Sequence, residues 1–464
     1  MAKLIKFPKE HKIPTNWKWV KLGNYIKTKT GYPFDSKRFS KKSEGLNGLI
    51  RIRDIVRGYT ETFTDEECTE DYIIHKGDML IGMDGDFNIA KWNSSDAFLN
   101  QRVCLIKSNS KNLLNDFLFY YLPYPLESIN ETTPSMTVKH LSTKTLEQIP
   151  FPLPPLAEQE RIVNKLDNYI SKLDEAKEKL EKVVDTYNYR KNLILHRAFT
   201  GQLTKNWRKE NPNIESVDIL LEKINQEKQN LKLNKTQKDR GFIKEEEIPY
   251  NIPNNWKWIK LKDIILYDVG GGTPSTKIDS YWAGNIPWMS VKDFANNKDG
   301  VIIDTIDHIS EEGVKNSSTN IIDENAIILC VRMGLGKYAK LSRPMAINQD
   351  LRAIWLSKNI NERFFLYYYS TLKIIGRGTT VEGIKKEQLF AKFIPLPPLE
   401  EQKEIVKILD SILSKEKQVK EIAEKEIDRV EDLKKNLLTR AFGGLLGTND
   451  PNEENSIELL KSVL

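Results

Sequence analysis

Between Leu156 and Phe199 the chain repeats apolar positions in steps of four and three. They are Ile162, Leu166, Tyr169, Leu173, Ala176, Leu180, Val183, Tyr187 and Ile194, with Arg190 in the same frame. Lys and Glu fill the positions between them, so the pattern predicts one long helix with a heptad seam. At ~1.5 Å per residue such a rod spans roughly 66 Å. A second run from Leu399 to Phe442 has the same character, with Ile405, Leu409, Ile412, Val419, Ala423, Val430, Leu433 and Leu437 on its seam. Its frame also carries Glu416 and Glu426, which reads as local loosening or as contacts outside a two-helix coil. A lone helix has nowhere to bury a seam. Because the two runs are related in sequence, pairing within the chain is favoured over a homodimer.

Upstream of each helical run the pattern changes. Short β-rich stretches appear, such as Ile73-Ile74, Met79-Leu80-Ile81, Val103-Cys-Leu-Ile106 and Ile327-Ile-Leu-Cys-Val331, punctuated by Gly, Asn, Asp and Ser. Residues 13–150 and 252–393 therefore read as α+β domains with long loops. Proline clusters (Pro150, Pro152, Pro154, Pro155; Pro395, Pro397, Pro398) stop each domain before its helix. The segment from Thr204 to Ile248 reads as a connector, helical from Ser216 to Leu231 and flexible over 232–241. A short terminal helix is expected from Ile457 to Leu464.

These blocks are two copies of one unit. Ile13-Pro-Thr-Asn-Trp-Lys-Trp-Val-Lys-Leu22 recurs as Ile252-Pro-Asn-Asn-Trp-Lys-Trp-Ile-Lys-Leu261, and Asn100-Gln101 recurs as Asn348-Gln349. Pro152-Leu-Pro-Pro-Leu-Ala-Glu-Gln159 recurs as Pro395-Leu-Pro-Pro-Leu-Glu-Glu-Gln402, and the match then runs without a gap to Arg197-Ala198-Phe199 and Arg440-Ala441-Phe442. A repeat nearly half the chain long makes two similar modules, suited to a target that also has two halves.

Composition narrows the function classes. Hydrophobic residues are 39% of 464, enough for real cores. No run approaches ~18 apolar residues, and the first ten residues lack the apolar core of a signal peptide. Three cysteines, Cys68, Cys104 and Cys330, are too few and too far apart for a disulfide framework or a zinc site, and they read as buried thiols of a cytoplasmic protein. Net charge is +6, and the first 42 residues hold twelve Lys/Arg against Glu10 and Asp35, a balance that permits nucleic acid without proving it. Catalytic patterns are missing. There is no phosphate loop, no histidine pair at metal spacing and no nucleophile elbow. Asp84-Gly-Asp86 with Lys91 reads as a polar turn rather than a nuclease site. Gly270-Gly-Gly-Thr273 lacks the following helix that a nucleotide site needs.

The Ile-Pro-x-x-Trp openings, Gly270-Gly-Gly-Thr-Pro-Ser275, Ile286-Pro-Trp288, the Asn-Gln pairs, Gly378-Thr-Thr380 with Gly383-Ile384, and the twice-used Pro-Leu-Pro-Pro-Leu-x-Glu-Gln resemble the specificity (S) subunit of type I restriction–modification enzymes. The likeness spans essentially the whole chain. One departure is Gly31-Tyr-Pro-Phe34 standing where the second module has Gly272-Thr-Pro-Ser275.

The resemblance implies an α+β fold: two similar mixed α/β target recognition domains separated by two long helices pairing as an antiparallel coiled coil. It divides the chain into a first recognition domain (1–150), a first spacer helix (151–203), a connector (204–250), a second recognition domain (251–393), a second spacer helix (394–446) and a tail (447–464). Each domain would read one half of a split double-stranded DNA target. The helices would dock two methyltransferase (M) subunits, with restriction (R) subunits joining them. S-adenosylmethionine, ATP and Mg²⁺ would bind those partners, and this chain would bind no cofactor or metal and do no catalysis.

On that reading, affinity comes from cationic contacts to phosphate and sequence is read by forked polar groups at loop tips. Lys27, Lys29, Lys37, Arg38, Lys41 and Lys42 are the phosphate-contact candidates of the first module, and Arg51, Arg53 and Arg57 its base readers. Thr273, Ser275, Lys277, Arg332, Lys337 and Thr379 are the candidates of the second. Trp17, Trp19, Trp256 and Trp258 recur in both modules and read as packing, and the Asn-Gln pairs as holders of loop backbone. Glu158-Gln159 and Glu401-Gln402 suit a helix first turn. Two alternatives stay open: a self-contained methyltransferase or nuclease with an unrecognised site, and a coiled-coil adaptor with no DNA role.

Overall fold

The computed structural model describes residues 12–133, 138–231, 248–296, 300–376, 383–450 and 452. The expected helix at 457–464 and candidate Thr379 lie outside them. The chain folds as two compact units: one takes residues 1–182 with 423–464, the other 183–422.

In the first unit Lys18–Lys21 pairs antiparallel with Pro150–Leu153, closing the mixed domain beside the start of the helix. A four-stranded sheet runs in the order Ile26–Thr30, Val103–Ser108, Met79–Gly82, Ile89–Lys91. A five-stranded sheet sets Asn47–Ile50 parallel to Ala97–Leu99. The second unit repeats this plan. Lys257–Lys260 pairs with Phe393–Leu396, and Ile286–Met289 lies parallel to Met345–Ile347. The sheet holding Ile265–Gly270, Leu351–Leu356 and Ile327–Cys330 stands where the first unit has Ile26–Thr30, Val103–Ser108 and Met79–Gly82. Successive positions on these strands feed separate clusters on the two faces: Met79 and Ile81 enter one and Leu80 another, as Ile327 and Leu329 part from Ile328 and Cys330 in the second unit.

Both long helical runs contribute to each unit. In the first, Ile162, Val163, Leu166 and Ile170 of Leu156–Asp185 join a core with Phe151, Phe117 and Tyr121, and Phe442 from the end of Leu399–Phe442 enters the same core. Phe442 lies edge-on to Phe117 (5.2 Å) and Tyr121 (5.0 Å). In the second unit Ile405 and Leu409 take the helix-start role, and Phe199 sits edge-on to Phe364 (5.5 Å) and Tyr368 (5.0 Å). The echo of Arg197-Ala198-Phe199 in Arg440-Ala441-Phe442 thus marks two equivalent helix ends.

The helices pair antiparallel inside each unit. Lys177 bonds Glu431 at 2.6 Å and Lys434 bonds Asp174 at 2.5 Å in the first, while Arg190 bonds Glu416 at 2.8 Å in the second. Ala423 and Val430 are buried. Leu173, Leu180, Val183, Ile412 and Leu437 are half-buried.

Three expectations about these helices need correction. Tyr169, Val419 and Leu433, expected on the seam, are 46%, 47% and 46% exposed. Ile170 packs inward instead of Tyr169 because the helix start lies against the domain core, where a straight helix follows 3.6 residues per turn rather than 3.5. Near Val419 the inward place goes to Lys420, whose ammonium lies 5.4 Å from the Tyr187 ring centre. Glu416 does not loosen the coil: it meets Arg190, which is itself a seam position. Finally, the first run is two helices, Leu156–Asp185 and Tyr187–Phe199, interrupted at Thr186. Arg190 donates there to the Val183 carbonyl (3.1 Å) and the Thr186 hydroxyl (2.5 Å), satisfying an acceptor that the interruption frees. The second run is one unbroken helix.

The connector forms the helix expected from Ser216 to Leu231 and one more, while the stretch expected to be flexible, 232–241, lies outside the described residues. Val217–Asn230 buries Val217, Leu220, Leu221 and Ile224 in the second core, and Lys205–Glu210 forms a further turn of helix.

Candidate nucleic-acid interface

Each mixed domain is clamped to its helix start by a buried tryptophan–carboxylate bond. Trp17 Nε1 donates to Glu158 Oε2 at 2.7 Å, and Trp256 Nε1 donates to Glu401 Oε2 at 2.8 Å. Glu158, Gln159, Glu401 and Gln402 are fully buried. All four are therefore structural anchors, a role that the position of the two glutamates and two glutamines at a helix start did not reveal. The Gln159 amide accepts from Leu114 N (3.0 Å) and donates to the Pro154 carbonyl (3.0 Å). Gln402 accepts from Asn361 N (2.9 Å) and donates to the Pro397 carbonyl (2.9 Å). The partners of the two carboxylates differ. Thr448 and Asn449 complete Glu158, whereas Thr204, Asn255 and the Arg208 guanidinium complete Glu401.

Away from that clamp, the first unit opens a cleft of about 700 Å³. Arg51, Arg53, Arg102, Asn100, Gln101 and Asn88 line it with Phe34 and Phe39. This mixture suits a nucleic acid: forked donors and amides for base edges, aromatic faces beside them. The backbone builds it by close approach. A Cβ on Gly31 would stand 2.2 Å from the Asn100 carbonyl oxygen, so only glycine lets these strands meet. Gly271 does the same in the second unit, 2.3 Å from the Asn348 carbonyl. Gly31 is thus the counterpart of Gly271, not of Gly272. The proline match misled by one residue, because the Tyr32 amide donates to Leu99 as the Gly272 amide donates to Ile347.

Arg51 and Arg53 share the cleft, and Arg51 lies 5.9 Å from the Phe39 ring centre. Arg57 stands outside the cleft and pairs with Glu61 at 3.3 Å. Lys27, Lys37, Lys41 and Lys42 are exposed. Lys29 pairs with Asp71 (3.1 Å) over the Tyr72 ring, and Arg38 with Asp65 (2.8 Å). The Arg38 bond holds the Asp65 carboxyl below its usual range. These two cations would have to leave a carboxylate to meet a phosphate.

In the second unit Thr273 bonds Gln349, and Ser275 and Lys277 are exposed on the loop that follows. Lys337 is exposed in the turn after Ile327–Cys330, where Arg332 pairs with Asp350 at 3.4 Å. Beside Arg332, Met333 holds a left-handed φ of 54° and is 63% exposed, strain of the kind that collects at functional tips. Arg102 was missed by sequence reasoning, since nothing local marks it.

Asp84-Gly85-Asp86 forms the turn between Met79–Gly82 and Ile89–Lys91, and Lys91 is committed elsewhere, to Asp116 at 2.6 Å. Asn100 and Asn348 hold backbone, accepting from the amides of Gln101 (2.8 Å) and Asp350 (3.0 Å). Cys104 and Cys330 are buried and burial pushes both thiols up to about 12, while Cys68 is only half-buried. Among the described residues no cluster of His, Cys, Asp and Glu could hold a metal, and no helix is long and apolar enough to cross a membrane.

Two similar mixed domains, each packed on antiparallel helical segments within its own unit, define a duplicated scaffold. The profile of the type I restriction modification DNA specificity domain matches residues 14–185 and again 253–428, and the chain belongs to that family. It is 28% identical to the EcoBI specificity subunit of Escherichia coli over 94% of this chain and 87% of the relative. It is 23% identical to the MjaVIII specificity subunit of Methanocaldococcus jannaschii over 95% of both. Among solved structures, the HsdS subunit from Thermoanaerobacter tengcongensis shares the fold with a TM-score of 0.52 at 18% identity, covering 94% of this chain and 99% of that one. A chain solved in work on complex assembly and conformational transition of the type I R-M system gives a TM-score of 0.62 at 18% identity, covering 94% and 100%.

Proposed function

We propose that this chain is the DNA-reading subunit of a type I restriction–modification complex. Residues 1–150 and 251–393 each read one half of a bipartite duplex target, and the two helical segments, 151–203 and 394–446, set the gap between the halves. The reading is carried by one observation: the same clamp, the same close-packed glycine and the same antiparallel helix pairing occur twice in one chain. A duplicated reader suits a split target.

The outer faces of the helices are free to carry partners. Tyr189 and Leu193 are exposed one turn apart, as are Val419 and Ile422. These exposed apolar pairs are our candidates for the docking face. Two methyltransferase subunits bind there, and restriction subunits join the complex in the cytoplasm. Partners bring S-adenosylmethionine, ATP and Mg²⁺ and perform methylation and cleavage.

The test compares the purified chain with its partner complex, each incubated with DNA, Mg²⁺ and S-adenosylmethionine. Sequence-specific methylation is expected from the complex only. Methylation or cleavage by the chain alone would favour the self-contained enzyme, and absence of salt-dependent DNA binding even with partners would favour the adaptor.

A further inference from the structure

The duplication hides one inversion. Met83 N donates to the Arg102 carbonyl and Leu141 N to the Met83 carbonyl. In the second unit Val331 N donates to the Asp350 carbonyl and Ile384 N to the Val331 carbonyl. The ladders agree, with Val103 opposite Gly82 and Leu351 opposite Cys330. Asp84 therefore occupies the place of Arg332, and Arg102 the place of Asp350. Both positions form an ion pair with an Nε–carboxylate distance of 3.4 Å, and the charges are exchanged.

In each pair the acid is the inner member and the arginine the outer one. The Asp84 and Asp350 side chains are 22% and 11% exposed, and those of Arg102 and Arg332 55% and 44%. His140 Nδ1 lies 2.6 Å from Asp84 and fixes it further, while Asn348 donates to Asp350 at 3.3 Å. An ion pair made through Nε leaves the two terminal nitrogens uncommitted to that carboxylate, and such a fork matches the O6 and N7 acceptors of guanine. Arg102 stands within the cleft, beside Asn100 and Gln101.

We infer that Arg102 and Arg332 are the specificity-determining side chains of their half-sites, and that exchanging acid and base between neighbouring strands is one means by which two copies of one domain read different sequences. Side chains identical in both units, such as Asn100 and Asn348, cannot make that distinction. Moving the fork to the adjacent strand displaces it by ~4.8 Å, more than the ~3.4 Å rise of one base pair, so it addresses a different pair.

This inference rests on the proposed DNA-reading function, and the experiment separates the two. The full chain, assembled with its methyltransferase subunits, is tested as wild type, R102A, R332A and the charge exchange D84R/R102D, which keeps an ion pair for folding. Methylated sites are sequenced on a library randomised in both half-sites. Each alanine variant should lower discrimination about ten- to a hundredfold at a base pair of its own half-site and leave the other half intact. The charge exchange should alter the first half-site only.

If D84R/R102D assembles and methylates the wild-type target in both halves, the inference is overturned. It is equally overturned if R102A weakens binding to all sequences alike with a shallower salt dependence, the mark of a phosphate contact. Failure of the wild-type complex to select any sequence would instead sink the proposed function itself.

Discussion

The two anchoring carboxylates, though equivalent in position, should differ in energetic weight. Glu401 is fully buried and accepts from Trp256, Thr204 and Asn255 while pairing with Arg208, whose side chain is only 16% exposed. Glu401→Ala would strand a mostly buried guanidinium stacked 5.7 Å from the Trp256 ring centre. Removing one member of a buried ion pair costs about 3–5 kcal/mol. Among the described residues the partners of Glu158 are neutral: Trp17, Thr448 and Asn449. Leaving buried neutral donors unsatisfied costs about 1–3 kcal/mol, so Glu158→Ala should be the milder change. Urea unfolding of the full chain gives the size of each effect, and hydrogen exchange places it. Faster exchange after Glu401→Ala should be confined to residues 183–422, and after Glu158→Ala to residues 1–182 and 423–464. Equal costs for the two variants, or loss of protection in the opposite unit, would refute the reasoning.

Further outcomes follow from the same contacts. The Arg190–Glu416 bond is mostly buried between helices, so R190E and E416R should each destabilise the second unit, and the double variant should recover about 1 kcal/mol or more, read from a double-mutant cycle in urea. The Lys177 bond holds Glu431 below the usual 4.5, so that stabilisation is present above about pH 4.5 and is lost as pH falls through the lowered value; acid titration of K177M should show a smaller loss than wild type. Gly31→Ala would force a Cβ to 2.2 Å from backbone oxygen, so the strands must part, and DNA reading by the first unit should fail while the second unit stays folded by hydrogen exchange.

Much of this was legible because it is written locally or twice. Heptad spacing exposes the helices, and duplication exposes the domains and the matching ends Phe199 and Phe442. What escaped depends on contacts across the fold. Tyr169 and Ile170 exchange roles because the helix start packs on a domain rather than on a helix. Thr186 carries no Pro or Gly to announce an interruption, which shows only through Arg190 reaching back. Glu158 and Glu401 look like ordinary first-turn acids until Trp17 and Trp256 are placed against them. The inversion of Asp84–Arg102 into Arg332–Asp350 is silent in sequence, since its members lie far apart in the chain and change sign between copies.

Independent reading of the two half-sites is tested most directly by exchanging residues 13–150 for those of another specificity subunit and sequencing the sites that the partner complex then methylates. The account predicts a new first half-site, an unchanged second half-site and an unchanged gap. A change in both halves, or in neither, would contradict it.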